Sequence, residues 1–127
     1  MKIVGAIARY LLGLLFLVSG LNLFFNFLHG ALPPGTAGEF LGLLVSTHFG
    51  YAIGAVMGIS GILFLFNRYV ALGLVLLGPV LFNILVFHIV MQPQTIGPAV
   101  VLTLLWFLVF WQHRAAFAGI FKAKLPD

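Results

Sequence analysis

Uncharged apolar runs long enough to cross a lipid bilayer dominate this chain. The first, Tyr10 to Leu28, contains no Asp, Glu, Lys or Arg; at a helical rise of about 1.5 Å per residue it reaches about 28 Å, close to the thickness of a hydrocarbon core. Three more follow, Phe49 to Phe66, Val70 to Met91 and Ile96 to Gln112. A spanning segment must satisfy its own backbone polar groups, and a helix does so within one segment. The expected fold is therefore all-α, a polytopic membrane protein built as one domain over residues 1–127. Its four-transmembrane-helix bundle has spans at about 10–28, 49–66, 70–91 and 96–112. Lys2 and Arg9 before the first run resemble the start of a signal peptide, but the run is long and no Ala-x-Ala-like site follows it, so cleavage is not expected.

Composition agrees. The chain is 63% hydrophobic and only 6% charged, too few charges to cover the surface of a water-soluble domain. It has no cysteine, which excludes disulfides, thiolate metal sites and dithiol redox chemistry of its own. The formal charge of +4 comes from scattered basic residues without the stripe that phosphate backbones require, so nucleic acid is not an expected partner. Membrane lipid is.

Basic residues set the expected orientation. Lys2 and Arg9 precede the first span, Arg68 lies between the second and third, and Arg114, Lys122 and Lys124 follow the fourth. The Leu28–Phe49 and Met91–Ile96 connections carry neither Lys nor Arg. The positive-inside bias places both termini in the cytoplasm and those two loops outside. Tyr10, Tyr69, Trp111 and His113 fall near the predicted inner boundary, where amphipathic rings anchor.

The long outer loop has structure of its own. Pro33-Pro34-Gly35 predicts a turn, and Thr36 to Glu39 has capping-box spacing, so a short helix is expected to start after Thr36. Its Phe40, Leu43 and Leu44 share an apolar face that can lie on the membrane or over the bundle. Phe117, Ile120 and Phe121 beside Lys122 and Lys124 suggest a second interfacial segment. In the second span Gly50, Gly54 and Gly58, extended by Gly61, form a small-residue stripe for close helix packing. Packing inside the bundle is the expected use, a homo-oligomer contact the alternative.

Polar groups are expensive in hydrocarbon, so they mark candidate sites. On a continuous helix Asn22, Asn26 and His29 share one face, within about 60° of one another. The third span carries Asn83 and His88 at matching depth, about 140° apart on an ideal helix. Gly78 and Pro79 form a hinge that can shift their faces, because Pro79 leaves the Val75 carbonyl without its helical donor. The expected site is an outer-leaflet pocket of Asn22, Asn26, His29, Asn83 and His88, lidded by the loop that carries Glu39 and His48. Asn side chains also bond between membrane helices simply as packing. No tight His-x-x-x-His or Glu-x-x-His spacing is present, so neither metal nor haem is expected. Ser19, Ser60 and Thr103 are expected to bond their own helix carbonyls. No catalytic triad, carboxylate pair or phosphate loop occurs, so no catalysis by this chain alone is expected.

The order of Arg9-Tyr10-Leu11-Leu12-Gly13, Gly20-Leu21-Asn22 with Phe24 and Phe25, Pro33-Pro34-Gly35, Gly61-Ile62-Leu63, Asn67-Arg68-Tyr69 and Pro79 with Asn83 to His88 resembles the DoxX-like family of small bacterial membrane proteins. The resemblance implies a four-helix bundle in the bacterial inner membrane. Relatives of that family are associated with terminal quinol oxidase and thiosulfate:quinone oxidoreductase components, or with oxidative-stress complexes, and many have no assigned activity. Relatives often carry an acid in span two where this chain has Met57, a departure that weakens any proton-coupled role. The functional expectation is an accessory subunit of a membrane electron-transfer complex whose outer pocket binds a quinone or lipid-like molecule. The alternatives are a small transporter or channel, and a membrane assembly factor or scaffold that uses its glycine stripe and loops to meet other membrane subunits.

Overall fold

The computed structural model describes residues 2–28 and 30–127. They are all-helical: α1 (Lys2–Phe25), α2 (Gly35–Ser46), α3 (Gly50–Leu65), α4 (Val70–Met91) and α5 (Gly97–Gln112), with 3₁₀ turns at Pro93–Thr95 and Arg114–Phe117. α1 packs on α3, α3 on α4, α4 on α5 and α5 back on α1, while α2 touches α4. The ring closes on Leu12, Phe16, Phe64, Leu74, Leu77 and Val109, all buried.

Two helices, α1 and α4, are long and apolar enough to cross a membrane. The number rises to three if α2 and α3, bent by 85°, count as one broken span. α3 and α5 have 16 residues each, about 24 Å. Apolar surface faces outward as well as inward: Phe82 is 65% exposed, Val90 68% and Leu104 60%. Such a surface is compatible with lipid and costly in water.

α1 and α3 run antiparallel and meet backbone to backbone. A Cβ on Gly20 would lie 2.7 Å from both the Gly54 carbonyl oxygen and the Gly58 amide nitrogen. One turn pair further along, a Cβ on Gly61 would lie 2.7 Å from the Gly13 carbonyl oxygen and from the Leu17 nitrogen. Side chains cannot fit there, which is why small residues occupy both helices at matching spacing.

Arg9 is buried, 7% exposed, rather than lying at a boundary. Its Nη1 donates to the Phe64 carbonyl, and its guanidinium covers the Tyr10 ring at 4.4 Å. The reason is local to the end of α3. That helix closes in a Schellman arrangement, with Arg68 N–H donating to Leu63 O at 3.1 Å and Asn67 N–H to Phe64 O at 3.3 Å. Asn67 takes the left-handed conformation this motif needs, φ 52°. The cation then sits at the negative end of the α3 dipole.

Helix ends differ from the sequence expectation in α1 and α2. α1 stops at Phe25 rather than Leu28, because Asn26 turns left-handed at φ 47°. α2 begins at Gly35 rather than after Thr36, and no side chain caps it. Gly35 has φ 74°, so the double-proline turn feeds straight into the helix and pre-empts a capping box at Thr36. The Pro33 carbonyl fills the space a Cβ on Gly38 would need. Between α2 and α3 the chain bends at His48, φ 61°, as the Thr47 amide returns to Leu43 O at 3.0 Å.

Candidate functional site

The ends of α1, α2 and α4 away from the arginines carry the polar groups expected to form a pocket. The structure gives them mostly local duties. Asn22 and Asn26 together stop α1: Asn26 N–H donates to Asn22 O at 2.7 Å, and Leu28 N–H donates to Asn22 Oδ1 at 2.9 Å. This is a left-handed C-terminal cap. Asn26 therefore lies past the helix, off the face that an unbroken helix would give it. His29 falls outside the described residues.

On α4, Asn83 Nδ2 donates to Pro79 O at 2.8 Å, and His88 Nδ1 lies 2.8 Å from Ile84 O. A carbonyl only accepts, so Nδ1 carries the proton and the Nε2 of a neutral ring is an acceptor. α4 runs continuously through Gly78 and Pro79. Asn83, Glu39 and His48 are exposed and His88 is half-buried. Among the described residues no side-chain hydrogen bond joins Asn22, Asn26, Glu39, Asn83 and His88 to one another, and no three metal-ligating side chains converge.

Aromatic rings, not amides, bring these elements together. Phe40 of α2 lies 5.7 Å from Phe87 of α4, and Phe87 meets His88 edge-on at 5.1 Å. On the other side Phe24 of α1 stacks on Tyr51 of α3 at 4.9 Å, and Tyr51 stacks on His48 at 5.0 Å. Offset and edge-on pairs at such separations are favourable beyond their area. α2 is thus laid over the end of α4 by Phe40, while its most buried residues are Ala37 and Gly38.

The small-residue stripe divides by position. Gly54 and Gly61 lie against α1, Gly50 lies 3.2 Å from the Leu44 carbonyl by its would-be Cβ, and a Cβ on Gly58 would meet nothing. Sequence reasoning missed the α1 partners, Gly13 and Gly20, whose seven-residue spacing mirrors that of Gly54 and Gly61. It also missed Arg9 as a packing residue. Thr103 bonds its own helix at Ala99 O, 2.8 Å. Ser60 does not: it is fully buried, and its hydroxyl makes no hydrogen bond among the described residues.

No family model, curated protein or solved structure matches this chain.

Proposed function

We propose that the chain is a four-span membrane protein of DoxX-like type whose loop end binds the head of a quinone or lipid-like molecule, as a non-catalytic accessory subunit of an electron-transfer complex. The observation that carries the reading is the aromatic assembly of Phe40, Phe87 and His88 across the α2–α4 contact. Flat rings there offer a stacking surface, and Nε2 of His88 offers an acceptor for a quinol hydroxyl. Phe24 and Tyr51 supply further rings at the same end. The resemblance of residues described above supports the assignment of class.

α3 and α5 complete the four spans. Their shortfall of about 6 Å against a hydrocarbon core of about 30 Å is met by the turns at their ends and by local thinning of the bilayer. All six basic residues then lie towards the cytoplasmic side, Arg9 buried within the bundle at that end, with both termini inside and the loop end outside. The intramolecular use of Gly13, Gly20, Gly54 and Gly61 favours this reading over a scaffold that spends its glycines on partners.

The test is the quinone content of lipid extracts from the purified protein, measured by mass spectrometry beside His88→Leu and Asn83→Leu variants. Wild type retains quinone above the bulk membrane level, and His88→Leu lowers retention by about 2- to 10-fold, the worth of one hydrogen bond. Identical extracts from all three proteins would remove the reading.

A further inference from the structure

The seam between α4 and α5 is open where the α1–α3 seam is closed. Two apolar grooves of about 220 Å³ and 370 Å³ lie along it and share Gly78, Trp106 and Phe107. They are one continuous trough. Trp106 forms its wall, stacked on Phe110 at 5.4 Å, and its indole N–H is already given to Leu74 O at 3.2 Å. The Thr103 hydroxyl is likewise bonded to its own helix. The trough therefore offers a ligand nothing but apolar surface, so it suits an alkyl chain and no polar head.

Its length selects which chain. The α4 lining runs from Leu74 to Leu85, about 16 Å at helical rise. Half a hydrocarbon core is about 15 Å. One acyl chain of one leaflet fits that span.

The mouth selects the head. At the end nearest Leu74 the trough is bounded by Phe117, Ile120 and Phe121, where Phe117 folds back to 5.0 Å from Phe110. Lys122 follows Phe121 directly, Lys124 lies just beyond, and both are exposed. Arg114 opens the same turn and covers the Trp111 ring at 4.3 Å. The chain's acids are Glu39, on α2, and Asp127, past Lys124. Positive charge prevails at this mouth.

We propose that the α4–α5 trough is a binding site for a diacyl anionic phospholipid, with one acyl chain along Trp106 and the phosphate paired with Lys122 and Lys124. It is independent of the loop-end ligand, which it neither touches nor requires.

Gly78 makes the test clean. A Cβ there would meet only Trp106, at 3.9 Å, so Gly78→Leu fills the trough without displacing backbone. The full chain in an uncharged detergent is melted with dioleoyl phosphatidylglycerol or dioleoyl phosphatidylcholine at equal mole fraction. Wild type is stabilised more by the glycerol lipid, and the excess shrinks at high salt. Gly78→Leu responds to neither lipid. Lys122→Gln with Lys124→Gln, both at exposed positions that leave packing intact, keeps the choline response and loses the excess, about fivefold in apparent affinity per lysine. Equal responses of wild type to the two lipids would overturn the charged mouth. A wild-type response from Gly78→Leu would overturn the trough, as would a lipid-insensitive dimer that this substitution splits, since the occupant would then be a second copy.

Discussion

The two helix seams of this molecule solve the same problem in opposite ways. α1 and α3 close on glycine, with the backbone of one helix occupying the space where a side chain of the other would stand. α4 and α5 meet through a large aromatic side chain, joined by one indole hydrogen bond and flanked by a trough. Where the surroundings are apolar, helices gain little from hiding apolar surface and much from contact and hydrogen bonding. A seam of glycines maximises contact and fixes register. A seam built on Trp106 leaves voids that an acyl chain can fill.

That contrast can be broken at the closed seam first. Gly20→Val puts branched carbon into the Gly54 carbonyl and Gly58 amide, both backbone atoms that cannot swing away. The expected loss is about 3 kcal/mol or more, measured as reversible unfolding in mixed micelles, and an unchanged midpoint would mean the helices do not approach this closely. Arg9→Met comes next. Removing the buried donor leaves the end of α3 without its cation, for an expected loss of about 1.5–3 kcal/mol; a neutral result in the same assay would return Arg9 to a purely topological role. The smallest effect sharpens the comparison from within one helix. Gly58→Ala adds a methyl that meets nothing and should be neutral or stabilising by up to about 1 kcal/mol. Equal damage from Gly58→Ala and Gly54→Ala would show that the stripe acts as a unit rather than position by position.

Most helix positions were legible in the sequence because charge-free apolar runs and Gly, Pro and Asn breaks are strong local signals. The extent of α1 was not. An apolar window starts where charge ends, so it overlooks a helix that carries Arg9 inside the bundle, and it runs on through Asn26, whose left-handed turn is a matter of backbone geometry. The candidate site was legible as a set of costly polar groups at one depth, but not as geometry. Asn22, Asn83 and His88 each find a backbone partner within a few residues, and such local bonds compete with a shared pocket in a way that spacing cannot reveal. Phe24 and Phe87 were legible as rings that could line a ligand's apolar body, and Phe40 as part of an apolar helix face, but not their pairing with Tyr51 and with one another, since nothing in a sequence distinguishes a ring that faces another ring from one that faces lipid. The glycine partners on α1 were readable in principle: Gly13 and Gly20 repeat at the interval of Gly54 and Gly61.

The proposed topology has four crossings with all basic residues on one side, and single-cysteine labelling of intact cells measures that directly in a chain that has no cysteine of its own. Cysteines placed at Thr36 and Gln94 are expected to react with an impermeant maleimide, while those at Asn67 and Ala123 are protected until the membrane is opened. Labelling at Ala123 together with protection at Asn67 would mean three crossings, with α5 left outside the count. Labelling at Asn67 with protection at Thr36 would reverse the orientation, and either result contradicts the proposed topology.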